Sequence, residues 1–174
     1  MSRITIPNYE NLSVEAKKEY DGQIAAHGRM TNMKKTLLHS VPSFRVLMEW
    51  YPLRDDVVKI VGEFALNVYA YAISSDNDCL ICSTFFRKIL KDGGYDPDNL
   101  KLDNDCKLLM EYAAACVAKP VCVSDALFAK MRERFSEEEI VLLTAFAGMM
   151  IATNLINNAL EVTLDDYLVT YSKR

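Results

Sequence analysis

Turn-forming residues are scarce in this sequence, since its 174 residues contain only 6 glycines and 5 prolines. Long stretches of helix-forming residues run between them with apolar positions at three and four spacing, which argues for an all-α chain. No Asn-Gly hairpin turn occurs, and the one alternating segment, NVYAYAI, has no second convincing strand to pair with. An excess of positive charge is also missing: 20 Lys+Arg stand against 24 Asp+Glu, for a formal net charge of -4. Neither that balance nor any local basic cluster attracts a phosphate backbone, so no nucleic-acid partner is expected. The opening SRITIPNYENLSVEAKKEY has no apolar core of a leader peptide and carries acids early, so a cytoplasmic protein is expected. The most apolar run, residues 140–152, is shorter than the ~18 residues of a membrane span, and glutamates precede it; it reads as a core helix, with no membrane partner. Histidine is nearly absent, with 2 in the whole chain. The 5 cysteines are an odd number, so a structural disulfide framework explains them poorly.

What is present is a globular composition, 51% hydrophobic and 25% charged, which excludes intrinsic disorder and suffices for one helical domain over residues 1–174 without metal or disulfide. About eight helices are expected, with residues 1–12 as an extended N-terminal segment. Ser13 caps a first helix that stops by Gly28, Thr31 opens a short second one, and Pro42 sits in the first turn of a third. Pro52 is expected to interrupt the third, after which Leu53 to Ser74 forms one long helix whose apolar residues nearly encircle it. A fifth helix runs from about Asp78 to Lys91 and is closed by Gly93-Gly94. A sixth carries CKLLMEYAAACVA, a seventh starts at Ser124, and an eighth starts at Ser136, where Ser136 and Glu139 form a capping box. A short terminal helix follows Thr163.

Cys79-Leu80-Ile81-Cys82 is the motif with chemical content. At the start of a helix, three-residue spacing brings both sulfurs to one face, within disulfide reach. The helix N-terminus favours thiolate, whereas Asp76 and Asp78 oppose it, so the pKa is expected to fall less than in the most reactive pairs; Arg87 and Lys88 offset this in part. Three readings stand side by side: a redox dithiol, half a zinc site without its remaining ligands, and two small hydrophobes in a core. Glu63, inside the most apolar helix, is either a buried general base or part of a narrow polar strip facing solvent. His27 and His39 stand near helix ends, where a histidine serves the dipole more often than it carries a proton.

The stretches AISSDNDCLICSTFFRKIL, VSDALFAKMRERFSEEEIVLLTAFAGMMIATNLINNAL and GRMTNMKKTLLHSVPSF together resemble the carboxymuconolactone decarboxylase family, also called alkylhydroperoxidase AhpD-like. The resemblance covers about Gly28 to Asp165 and implies an all-helical AhpD-like multi-helix bundle that forms homo-oligomers. It also implies an antioxidant thiol peroxidase or disulfide reductase that acts on a hydroperoxide or disulfide substrate and is reduced by an external dithiol, with no cofactor or metal. By that likeness Cys82 attacks the peroxide and Cys79 resolves it. The peroxidase branch has a histidine four residues after the second cysteine and a glutamate about twelve before the first; here Phe86 and Asn67 occupy those positions. Glu63, one helical turn from Asn67, is the residue placed to substitute. Two alternatives remain: a non-catalytic helical oligomer or small-molecule-binding member, and a lactone decarboxylase with a pocket of Tyr69, Tyr71, Phe85 and Phe86.

Overall fold

In the computed structural model, which describes residues 2–173, the fold consists of eight α-helices and two short 3₁₀ segments, with no strand among the described residues. The helices are α1 (Val14–His27), α2 (Asn32–Leu37), α3 (Val41–Met48), α4 (Trp50–Asp76), α5 (Leu80–Asp92), α6 (Asn104–Val117), α7 (Asp125–Arg134) and α8 (Glu137–Ala159). The 3₁₀ segments are Tyr9–Asn11 and Asp166–Tyr171.

Local signals set most of the boundaries. Ser13, Thr31, Asp103, Ser124 and Ser136 each accept a backbone N–H from the first turn of the helix they precede. At α8 the box is complete, because Ser136 N–H also donates to Glu139 Oε2 at 2.8 Å. Gly28 ends α1 with φ 68, a left-handed conformation that costs glycine nothing.

Two boundaries differ from the sequence expectation. The chain turns at Glu49, so Pro52 lies in the first turn of α4 rather than interrupting a helix; its missing N–H has no intrahelical partner there to lose. Helix α5 begins at Leu80, because Asp78 is left-handed at φ 50 and Cys79 is the extended N-cap residue. A third feature is unannounced by the sequence: α4 is kinked at Gly62, whose φ 80 and ψ 163 leave the helical region altogether.

Helix α4 is the axis of the fold and packs against α5, α6 and α8. Its half beyond the kink is buried almost all round, with Leu66, Tyr69, Ala70 and Ile73 at 0% exposure. Tyr69 satisfies its hydroxyl by donating to Leu143 O of α8 at 3.2 Å. A smaller cluster, formed by Ala16, Leu37, Leu38, Phe44 and Leu47, joins α1–α3 to the outer part of α8 through Met149 and Ile156.

Helix α8 and the α3–α4 stretch are each long and apolar enough to cross a membrane by length and composition. The run at 140–152 is thus one part of a longer apolar helix. The inner face of α8 packs in the core and carries buried Asn154 and Asn157, while Val141 and Leu155 on its outer face are exposed. The N-terminal segment is tied down where Arg3 N–H donates to Leu160 O at 2.9 Å.

Candidate active site

The left-handed turn at Asp78 swings the chain from the end of α4 into α5 and leaves Cys79 at the N-cap with Cys82 three residues on. The two cysteines are therefore not equivalent. Cys79 is 1% exposed and Cys82 7%. Only Cys82 of the two lines an apolar cavity of about 110 Å³ between α2, α3, α4, α5, α8 and the C-terminal 3₁₀ segment. Trp50, Phe85, Phe86, Met48 and Met150 form much of the cavity wall, with Tyr51, Lys34, Thr153, Asn157 and Asp165 as polar residues.

Asn157 of α8 reaches both sulfurs. Its Nδ2 donates to Cys82 Sγ at 3.2 Å and lies 3.8 Å from Cys79 Sγ. Its Oδ1 is buried without a protein partner. The Cys79 thiol is pulled down to about 7, first because the Cys82 thiol donates to it. Burial opposes that shift, while the N–H groups of Cys82 and Ile81 at the helix start and the Asn157 amide assist it. Cys82 is pushed well up by holding the shared proton and by burial. The pair thus releases one proton readily and resists losing the second.

The expected opposition from Asp76 and Asp78 is not among the principal causes acting on Cys79. Nor are Arg87 and Lys88 part of the site, since Arg87 is paired with Asp98 and Lys88 with Asp92.

The other candidates fall elsewhere. Glu63 is exposed, forms an ion pair with Arg54, and accepts from Asn67 Nδ2 at 3.4 Å; it does not line the cavity. It takes the solvent-facing reading, one residue past the kink at Gly62. Phe86, at the histidine position, is part of the cavity wall beside Trp50 and Phe85. Of the four aromatic residues expected to form one pocket, Phe85 and Phe86 line the cavity, Tyr69 is core, and Tyr71 lies in a separate groove with Arg87 and Asp98.

His39 Nε2 contacts Thr5 O at 2.8 Å, tying down the N-terminal segment. His27 stacks on Tyr51 with centroids 3.6 Å apart, and partial burial lowers its pKa. Cys106 is pushed up to about 12, chiefly by burial, and Cys116 is raised for the same reason. Among the described residues no group of three or more His, Cys, Asp or Glu converges as a metal site.

Sequence reasoning missed Asn157, Trp50, Lys34 and Tyr51. None belongs to a motif, and each reaches the site from an element remote from Cys82 in the chain. The only hint was two polar residues, Asn154 and Asn157, in the otherwise apolar α8.

The arrangement of eight helices matches the AhpD-like helical fold. No family profile matches the sequence, and no curated protein is similar to it in sequence. Among solved structures, the chain is similar to an uncharacterized peroxidase-related protein from a Silicibacter species, with TM-score 0.75 and 16% identity over 96% of this chain and 93% of that one. It is also similar to an alkylhydroperoxidase AhpD core protein from Ralstonia eutropha, with TM-score 0.75 and 18% identity over 96% and 94%. A third likeness is to the debrominase Bmp8, a cysteine-to-alanine variant in complex with 2,3,4-tribromopyrrole, with TM-score 0.78 and 14% identity over 98% and 97%. At these identities the likeness concerns the fold.

Proposed function

We propose that this chain is a dithiol reductase that uses Cys79 and Cys82 to reduce hydroperoxides of compact molecules with an apolar body, or the disulfide of a partner. The observation that carries the reading is the acidic cysteine pair, held by Asn157, with Cys82 facing an apolar cavity. Cavity access makes Cys82 the attacking sulfur, although the resting negative charge favours Cys79. Transfer of the shared proton from Cys82 to Cys79 exposes a Cys82 thiolate to the cavity.

That thiolate attacks the terminal peroxide oxygen, the O–O bond breaks, and Cys82 becomes a sulfenic acid while the alkoxide leaves and is protonated. The Cys79 sulfur then displaces water from the sulfenic acid and closes the disulfide. An external dithiol restores both thiols by exchange. With Phe86 and Asn67 at the relay positions and Glu63 paired to Arg54, no carboxylate or imidazole of the expected relay supplies protons. A missing acid or base costs roughly 100- to 10,000-fold in rate, so slow turnover is expected.

A second reading is favoured by the aromatic cavity wall and by the likeness to a debrominase. The same two electrons replace a carbon–halogen bond on a small ring by carbon–hydrogen, releasing halide as the two thiols become a disulfide. The outward strip of α8, where Val141, Ala145, Gly148 and Leu155 are exposed at helical spacing, supports assembly as a homo-oligomer. Light scattering of the purified protein reads the assembly directly.

The test of the main reading is turnover of tert-butyl hydroperoxide with dithiothreitol, followed by mass mapping of the thiols. Cys82→Ser should abolish turnover and Cys79→Ser should trap the sulfenic acid. Normal activity in both variants, or a Cys79/Cys82 pair that stays reduced with the peroxide and labels only after denaturation, would refute the dithiol. In the second case the chain is a non-catalytic binding member of the fold.

A further inference from the structure

Lys34 is a buried cation without a carboxylate partner. It is 9% exposed and, among the described residues, forms no ion pair. Its Nζ instead donates to Tyr51 OH at 2.5 Å and lies 4.9 Å from the centre of the same ring. Gln23 Nε2 reaches the same hydroxyl at 3.4 Å. Tyr51 oxygen thus receives two donors, which leaves its own hydrogen free to donate. A buried ammonium whose only partner is neutral is costly unless an anion completes it. Both Lys34 and Tyr51 line the cavity that Cys82 faces.

Asp165, the one carboxylate on that wall, does not serve. Burial raises its pKa toward the neutral form; its Oδ1 accepts the Asn32 N–H at 2.9 Å, its Oδ2 is buried without a protein partner, and the cations acting on it are Lys35 and Arg29. His27, stacked on Tyr51, is held toward its neutral form and brings no negative charge.

We propose that Lys34 and Tyr51 form an anion-binding subsite and that the substrate is a compact organic acid. Its short apolar chain fills the space beside Trp50 and Phe86, and its carboxylate meets the Lys34 ammonium and the Tyr51 hydroxyl. The cavity, about 110 Å³, is smaller than the ~150 Å³ that holds a benzene, which limits the apolar body to a short chain of a few carbons. This inference rests on the dithiol reading for what happens to the substrate, but binding is measurable apart from it.

Trp50 is the only tryptophan and lies on the cavity wall, so its fluorescence reports occupancy without any thiol chemistry. Butyrate and butyramide, equal in shape and different in charge, are titrated into the reduced full chain and into Cys82→Ser. Butyrate should bind about tenfold more tightly than butyramide in both. Lys34→Met should erase the preference, whereas Lys34→Arg should retain part of it. The wild-type comparison stands even if Lys34→Met fails to fold. Equal affinities, a preference that survives in folded Lys34→Met, or no response of Trp50 to either compound at millimolar concentration overturns the subsite. Hydroperoxide turnover without acid preference removes the subsite and keeps the dithiol reading; acid preference without any thiol turnover does the reverse.

Discussion

Replacing Asn157 with alanine removes the amide that donates to Cys82 at 3.2 Å and lies 3.8 Å from Cys79, and the consequence for thiol acidity follows from those contacts. A hydrogen bond to a charged group contributes about 1.5–3 kcal/mol, and a neutral amide shared between two sulfurs lies at or below the low end of that range. At ~1.4 kcal/mol per pKa unit, the first titration of the pair should rise by about one unit. In the native protein it stands at about 7. The thiolate fraction at neutral pH then drops from about a half to about a tenth, so alkylation by iodoacetamide slows roughly fivefold there. At alkaline pH the two proteins should react alike. The assay is the pH profile of alkylation at Cys79 and Cys82, resolved by peptide mass mapping. Asn157→Asp, which places a carboxylate against the sulfurs in nearly the same volume, should raise the pKa further. A profile for Asn157→Ala that superimposes on the wild type refutes the role of the amide. Loss of the alkaline plateau instead shows that the substitution changed access and not acidity.

Four further outcomes are expected. Because Cys79 is depressed and Cys82 raised relative to the unfolded chain, stability against urea should rise from about pH 7 to the ordinary thiol range. It should fall above that range, where only the unfolded chain gives up its second proton; a monotonic curve through this window in wild type, after subtraction of the Cys79→Ser/Cys82→Ser curve, contradicts the coupling. Ser136→Ala breaks the α8 capping box and should cost about 1 kcal/mol in chemical denaturation, with Glu139→Ala costing less than that on the Ser136→Ala background. Gly62→Ala should destabilise by about 1–3 kcal/mol, purely through its φ of 80, because a methyl group there meets nothing within 4 Å. In native protein, exposed Cys122 should label with a bulky maleimide ahead of Cys106, whose thiol is both buried and pushed up to about 12; the reverse order contradicts the packing of α6.

Local chemistry made most of the helices legible. Ser13, Thr31, Ser124 and Ser136 were readable because a capping side chain and the N–H groups it satisfies lie within three residues of each other. Pro52 was misread because a proline looks the same at the first turn of one helix and at the end of another; what decides is where the preceding turn falls, here Glu49. The kink at Gly62 is not legible in the sequence because an isolated glycine is equally compatible with an unbroken helix. The cysteine pair itself was visible from its spacing, but its surroundings were not.

The sequence by itself determined the all-α class, the helix starts and the place of Cys79 and Cys82 at a helix opening, since each depends on neighbours a few residues apart. Tertiary structure alone decided that Asn157, 75 residues beyond Cys82, holds the sulfurs. It also turned Glu63 out to Arg54 and set Lys34, Tyr51 and Trp50 around the cavity. Those placements depend on how α2, α4 and α8 close against α5, and no short-range pattern encodes the distance between side chains brought together only by burial of a common core.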